Sequence, residues 1–306
     1  MQPSAATAIR AVARRVCLGL RPPQTLCWVS LGPAGSLATR GGRADHAAVS
    51  LSVCIITLNE EDNLPRCLAS VAGLAMQVVV VDSGSTDRTR EMATAAGAQV
   101  QVRPFSGHVD QKQFALEQGT GDWILSLDAD EWLDDALRAE VARVTSGGPP
   151  DVDGYELDRR SLYLGAWIDH CGWAPQWRLR LVRRGRARWT GMDPHDRLET
   201  PGRTARLAGR LGHRPYRDLA DHVAKVNRYT DQMAARRREA GMRSPAFALL
   251  LRPPARFVRM YVLRAGFLDG WRGLVVSGMG AYYVFLKYAK LRAAWQAQPP
   301  GAAPAR

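Results

Sequence analysis

A chain of 306 residues, 46% of them apolar, can bury one large domain and still carry an appendage. Five cysteines, odd in number and without a C-x-x-C pair, argue against a disulfide framework or a zinc module and fit a reducing compartment. The net charge of +13 is unevenly spread: residues 1–200 hold 22 Lys and Arg against 24 Asp and Glu, whereas residues 201–306 hold 20 against 5, so the last third suits a polyanionic surface.

Residues 1–48 contain six Arg and one acidic residue, Asp45. The apolar run Val16–Leu20 is too short for a signal peptide and is stopped by Arg21-Pro22-Pro23, so this segment is expected to be a disordered extension or the product of an early start codon, with a transit peptide as the alternative. Organisation begins at Leu51. Leu51–Leu58 is a continuous apolar run of strand length, and Asn59-Glu60-Glu61-Asp62 opens a helix through Leu64, Leu68 and Val71. Met76–Val81 is a β-branched run suited to a strand buried on both faces. Asp82 to Asp87 forms a loop, a helix follows to Ala96, and Ala98–Val102, Asp110–Gln118 and Trp123–Leu127 read as strand, helix and strand. Strands alternating with helices predict βαβ units and a mostly parallel sheet.

Beyond residue 150, Tyr155–Leu164 and Trp177–Val182 alternate apolar and charged residues as half-buried strands do; Thr190–His195 reads as a loop and Arg206–Leu211 as a strand. Asp218–Arg238, Ala255–Asp269 and Trp271–Ala294 read as helices. The last two are basic and aromatic, and Leu274–Leu286 is short of the roughly 20 apolar residues that cross a bilayer. Flanked by Arg272, Lys287, Lys290 and Arg292, it reads as a helix lying in a membrane interface, against the plainer reading of a packed helix with a solvated basic face. The chain is thus divided into an extension (1–48), a catalytic α/β domain (49–215) and a basic amphipathic helical region (216–296). No nucleic-acid module accompanies the charge, so nucleic acid is not an expected partner.

Three loops sit at the carboxyl ends of consecutive predicted strands: Thr57-Leu58-Asn59-Glu60, Asp82 to Asp87, and Asp128-Ala129-Asp130. In an open α/β sheet those ends share one rim, where ligands bind. Residues two apart in an extended segment point the same way, so Asp128 and Asp130 can aim at one spot, and paired carboxylates suit Mg²⁺ or Mn²⁺ on a diphosphate. Taken alone, the tripeptide is equally a solvated turn before the helix start at Asp134-Asp135. Neither G-x-G-x-x-G nor G-x-x-x-x-G-K-[ST] occurs, which disfavours a dinucleotide oxidoreductase and a P-loop NTPase.

The ordered set Ile55-Ile56-Thr57-Leu58-Asn59-Glu60, Val81-Asp82-Ser83-Gly84-Ser85-Thr86-Asp87 and Asp122-Trp123 to Asp128-Ala129-Asp130-Glu131 resembles glycosyltransferase family 2, and within it the branch that adds a sugar to the inner core of lipopolysaccharide. Gly266-Phe267-Leu268-Asp269-Gly270 and Phe285-Leu286-Lys287-Tyr288 extend the resemblance more loosely. It implies a GT-A fold (a Rossmann-like, mostly parallel twisted sheet flanked by helices, here with a C-terminal helical extension), a nucleotide-diphosphate sugar donor, most simply a UDP-sugar, a divalent cation and inversion at the anomeric carbon. Carried over by position, Thr57 and Glu60 line the nucleotide pocket, Asp82 meets the uracil or ribose, Asp128 sits by ribose and metal, and Asp130 is the metal ligand. Ser83 stands where many members have a second acid, and the narrower branch commonly has Ser. Where that branch tends to show His-Glu, this chain has His195-Asp196, which makes Asp196 the expected base and His195 a candidate further metal ligand, with Glu199 and Asp193 as other bases.

Lys112, with Gln111, opens the helix before the Asp-x-Asp strand within reach of the cleft. Arg180 matches a recurrent family position and suits a bidentate grip on phosphate, the neighbouring arginines being expected to be solvated. Gln176-Trp177-Arg178 does not fit the Q-x-x-R-W of processive synthases, so one sugar per encounter is expected. The full expectation is a peripheral enzyme on the inner, cytoplasmic face of the cytoplasmic membrane, acting on a lipid-linked saccharide at an anionic surface. The alternatives are a polyprenyl-phosphate acceptor, a sugar nucleotidyltransferase (disfavoured because strand one lacks a Gly-rich, Lys/Arg-bearing end) and a non-catalytic nucleotide-sugar binding protein.

Overall fold

The computed structural model describes residues 50–147, 149, 151–192 and 195–296, without the side chain of His195; the expected extension over 1–48 and the candidate base Asp193 lie outside the described residues. Strand β1 (Leu51–Thr57) runs between β2 (Gln77–Asp82) and β4 (Trp123–Asp128), parallel to both, and β3 (Gln99–Val102) extends the parallel array beyond β2. These strands are apolar on both faces because both are covered. Val53, Ile55, Leu125 and Leu127 pack with Leu64 and Leu68 of α1 (Leu64–Val71), while Cys54, Val79, Val81 and Ile124 face Ala115 and Leu116 of α3 (His108–Glu117). The helix α2 (Thr89–Ala95) joins β2 to β3. The chain steps outward from β1 to β3 and then returns to the opposite side of β1 as β4, which creates a topological switch point between β1 and β4.

After β4 the sheet turns mixed. The short β5 (Glu131–Leu133) follows at once, and α4 (Asp135–Gly147) is capped by Asp134, whose Oδ1 accepts the Leu137 N–H at 2.7 Å. The long β6 (Val152–Tyr163) pairs antiparallel to both β7 (Ala166–Ile168) and β8 (Gln176–Arg183), and β8 pairs antiparallel to β4. Of the expected loop Thr190–His195, the described residues Thr190, Gly191, Met192 and His195 lie instead in the antiparallel hairpin strands β9 (Arg188–Met192) and β10 (His195–Glu199). The strand expected over Arg206–Leu211 is split into β11 (Arg203–Arg206) and β12 (Leu211–His213), because Gly209 at φ +93° bends the chain against Leu137 where a side chain has no room. Strand β12 closes on β5, and Gly212 lies flat under Trp132, whose ring atoms would sit 2.2–2.6 Å from any Cβ there.

Helices α5 (Leu219–Glu239), α6 (Ala246–Val258) and α7 (Gly270–Gln296) form the C-terminal layer. The helix expected from Ala255 begins instead at Ala246 and runs through Pro253 and Pro254, whose fixed φ is helical although each removes a donor. It continues as a π-helical turn (Arg259–Leu263) and breaks at Ala265 (φ +51°) before a 3-10 turn (Gly266–Asp269). The layer is fixed to the sheet by Met260 and Val276 packing on Tyr163, Ile168 and Cys171. Polar ties reinforce it: Asp269 takes the Asp169 and His170 N–H groups and His170 Nδ1, and Arg272 Nε donates to the Leu164 carbonyl at 2.8 Å. Among the described residues no helix is long and apolar enough to cross a membrane.

Candidate active site

The first two rim loops are tied into one unit. Asn59, at φ +54°, accepts the Thr86 N–H at 2.8 Å and gives its own N–H to Ser85 Oγ at 2.8 Å; the Glu60 N–H reaches Thr89 Oγ1 at 2.9 Å. Asp82 is fully buried and spends its carboxylate inside the loop, on the Gly84 and Ser85 N–H groups (3.0 and 2.8 Å) and the Ser85 hydroxyl. Gly84, at φ +96°, lets the backbone fold back far enough to make that contact. Ser83 donates its N–H to the Thr57 carbonyl (2.9 Å) and accepts from Gln111 Nε2 (3.1 Å). The Thr57 hydroxyl, on the residue that pairs with Asp82 in strand register and follows the partner of Asp128, Ile56, is buried without a hydrogen-bond partner.

The third loop carries the charges. Asp128 receives Lys112 Nζ at 2.9 Å and Arg180 Nη2 at 3.2 Å. Burial alone would raise its pKa, but these two cations outweigh burial and hold the carboxyl far below the ordinary range. Lys112 also reaches Asp196 Oδ2 at 2.8 Å, so one buried ammonium joins the end of β4 to the β9–β10 hairpin. Arg180 is braced from behind by Glu131, fully buried, which takes its Nε at 3.1 Å and Nη2 at 2.8 Å. Burial by itself would lower the Arg180 pKa; Glu131 and Asp128 raise it instead, so the guanidinium is permanently charged. Both cations lie against Trp189, at 4.6 Å and 5.3 Å from the ring centroid.

Asp130 stands apart from this network. Its Oδ1 is buried with no hydrogen-bond partner, and its Oδ2 lies 3.4 Å from His213 Nε2. His213 is oriented from its other side, with Nδ1 3.4 Å from Ser161 Oγ. Glu60 sits close enough to feel the Asp130 charge: burial first, then Asp130, push its pKa up to about 7, and Asn63 Nδ2 donates to it at 2.7 Å. Among the described residues no three His, Cys, Asp or Glu side chains converge to enclose a metal. An orphaned carboxylate oxygen beside a braced imidazole nevertheless fits a cation that takes two protein donors and completes its shell with phosphate oxygens and water.

A hollow of about 280 Å³ opens beside Lys112, Asp128, Arg180 and Asp196, walled by Arg159, Trp177 and Arg178. Arg178 is exposed, as expected, and borders this hollow; burial of part of its side chain and then the charges of Arg159 and Arg180 lower its pKa. Glu199 is turned away onto Arg197 and Thr190. Thr57, Glu60, Asp82 and Ser83 sit along the rim rather than in the walls of the hollow. The residues not anticipated are His213, Glu131, Arg159 and Trp189. His213 had a signal, since Leu211-Gly212-His213 is an apolar strand ending in a ligand type. Glu131 had none beyond its place after Asp130.

Residues 52–197 match the family model described as glycosyl transferase family 2. A lipopolysaccharide core biosynthesis glycosyltransferase, LpsC, of Rhizobium meliloti (strain 1021) is 34% identical over 259 residues, spanning 81% of this chain and 95% of that protein. The chain belongs to glycosyltransferase family 2. An uncharacterized glycosyltransferase of Rickettsia prowazekii is 31% identical over 259 residues, covering 79% of this chain and 86% of its own. Among solved structures, a Mycobacterium tuberculosis glucosyl-3-phosphoglycerate synthase in complex with Mn²⁺, UDP-glucose and phosphoglyceric acid is 26% identical, with 39% of this chain and 46% of that chain covered at a TM-score of 0.31. Membership makes the protein an α/β glycosyltransferase of the GT-A class, with a homologue in lipopolysaccharide core biosynthesis.

Proposed function

We propose that this family 2 enzyme moves a single sugar, with inversion, from a nucleotide-diphosphate donor, most simply a UDP-sugar, to an acidic lipid-linked saccharide of the lipopolysaccharide core type. The observation that carries the reading is the Lys112 bridge. It joins Asp128, at the end of β4, to Asp196 of the β9–β10 pair through one ammonium, and all three line the same hollow. Inverting transfer needs a carboxylate to take the proton of the attacking hydroxyl, and Asp196, held by Lys112 at 2.8 Å beside the hollow, is our choice for that role. Asp130 and His213 would hold a divalent cation, Mg²⁺ or Mn²⁺. When bound, such an ion neutralises charge gathering on the leaving diphosphate. Lys112 and Arg180 add fixed positive charge beside it, and Thr57 presents a hydroxyl free to meet the nucleotide.

The acceptor assignment rests on charge. Lys112, Arg159, Arg178, Arg180 and Arg197 outnumber Asp128, Glu156 and Asp196 around the hollow, which favours an acceptor bearing carboxylates or phosphates. The basic C-terminal layer, with Leu250, Leu251 and Leu263 well exposed, would rest on an anionic membrane from the cytoplasmic side. The test is a panel of nucleotide sugars with Mn²⁺ and purified lipid-linked core saccharide, scored for nucleoside diphosphate release. Turnover of one donor, dependent on acceptor and cation, is expected. Pyrophosphate release from a nucleoside triphosphate and a sugar 1-phosphate would instead establish a nucleotidyltransferase, and binding of donors without any turnover would establish a non-catalytic protein.

A further inference from the structure

Away from the active site, a second cavity of about 180 Å³ is lined by Arg256, Arg259 and Arg264 together with Cys171, Gly172 and Met260. Arg256 lies on the last turn of α6, Arg259 begins the π-helical turn, and Arg264 ends it at the break before Ala265. The break folds Arg264 over Gly172, where its side-chain atoms come within 3.8–4.0 Å of the position a Cβ would occupy. The three guanidinium groups therefore face one space. Among the described residues none of the three has an ion pair or a side-chain hydrogen bond, unlike most of the cations around the active site. The carboxylate beside this wall, Asp269, is already committed to His170 and to the backbone N–H groups of Asp169 and His170. Partial burial first, and then the charges of Arg259 and Arg264, push the Arg256 pKa down.

What surrounds this cluster is apolar and protruding. Val262 and Leu263 come from the same turn, Phe267 and Leu268 from the next, and Leu263 is 74% exposed. Three unneutralised guanidinium groups with apolar side chains projecting around them match a ligand that is anionic at its head and hydrocarbon beyond it. We propose that Arg256, Arg259 and Arg264 form a binding site for the phosphate headgroup of a lipid, separate from the nucleotide-sugar site. The assignment deepens the membrane-surface reading above and rests on it. It adds a specific phosphate contact to what would otherwise be attraction to negative charge in general, and it fixes which part of the C-terminal layer meets the bilayer.

The test uses the full chain, without donor or vesicles, titrated calorimetrically with water-soluble dioctanoyl phosphatidic acid and, separately, with inorganic phosphate. Saturable binding of the short-chain lipid is expected, with inorganic phosphate at least tenfold weaker because it lacks the apolar part. Replacing all three residues (Arg256→Gln, Arg259→Gln, Arg264→Gln) should weaken lipid binding at least tenfold and leave donor hydrolysis intact. A control with the same loss of charge in the same layer (Arg228→Gln, Arg236→Gln, Arg243→Gln) should bind as the unaltered chain does. If the triple variant does not fold, the single Arg259→Gln change should still weaken binding about threefold. Undiminished binding by the triple variant, or an equal loss in the control, would overturn the site; inorganic phosphate binding as tightly as the lipid would overturn the lipid assignment. The binding results do not depend on the transferase activity, and a parallel sedimentation with anionic vesicles separates the two readings: adhesion there without binding of the short-chain lipid would leave the membrane reading standing while removing this one.

Discussion

Glu131→Gln is the sharpest perturbation of the charge network, because it removes one negative charge at a fully buried position without changing shape. Glu131 accepts two bonds from Arg180, one from Arg159 at 3.4 Å and the Asp128 N–H at 3.2 Å. With the charge gone, Arg180, only 4% exposed, keeps Asp128 as its sole acidic partner, and Asp128 is already shared with Lys112. Breaking a buried ion pair from one side costs about 3–5 kcal/mol, and the amide oxygen of Gln retains one bond, so about 3 kcal/mol is expected. Arg180→Met should cost about 2–3 kcal/mol, since among the described residues it leaves Glu131 only Arg159, at 3.4 Å, as a cationic partner. The double variant Glu131→Leu/Arg180→Met, which removes both charges, should fall within about 1 kcal/mol of the parent, since apolar replacements of a buried pair are often neutral. Urea unfolding followed by tryptophan fluorescence measures all three. Additive losses, or a Glu131→Gln cost under about 1 kcal/mol, would refute the claim that Glu131 exists to hold Arg180. Donor hydrolysis should also fall in Glu131→Gln, although Glu131 does not line the hollow, because Arg180 loses its brace.

Other consequences are as direct. His222, buried and bonded to the Tyr163 hydroxyl at 2.8 Å, has its pKa lowered to about 4 by burial, so the native state resists its protonation. The unfolded state takes up that proton below about 6.5; stability should therefore be full above pH 6.5 and decline toward pH 4 by up to about 3 kcal/mol. His222→Phe should flatten that part of the Tm-against-pH curve, and an unchanged slope would count against the burial argument. Gly212→Ala should destabilise by about 1–3 kcal/mol in urea, since its methyl group meets the Trp132 ring. His213→Ala should weaken Mn²⁺ affinity about 10–100-fold in an electron paramagnetic resonance titration with UDP present, and Asp130→Ala should abolish it; wild-type affinity in either would remove them as ligands.

The half of the fold that positions the nucleotide rim was legible because most of β1, β2 and β4 is buried on both faces, so the apolar runs Leu51–Leu58, Met76–Val81 and Trp123–Leu127 marked central strands to within a residue at their ends. The second half was less so. Arg203–Arg206 and Leu211–His213 are too short for periodicity to separate them, and what divides them is the bend at Gly209, a tertiary contact with α4. The helix through Pro253-Pro254 defeats a local rule in the same way, its stability coming from packing on α7 rather than from propensity. At the site, Asp128, Lys112, Arg180 and Asp196 could each be named from the sequence as candidates. That they meet could not, because the bridge depends on a hairpin 84 residues from Lys112 in the chain. Asp82 shows what a sequence leaves out: its carboxylate accepts from Gly84 and Ser85 of its own loop and lies 3.9 Å from Arg90 Nε, contacts that no local pattern predicts.

Asp196 carries the central claim. Turnover with acceptor and affinity for the donor, measured on the same preparations of the parent and Asp196→Asn proteins, separate its chemistry from its place in the Lys112 bridge. Turnover should fall by about 10²-fold or more while donor affinity holds, as expected for loss of a general base. Undiminished turnover would contradict the account, and the proton of the acceptor hydroxyl would have to be taken elsewhere.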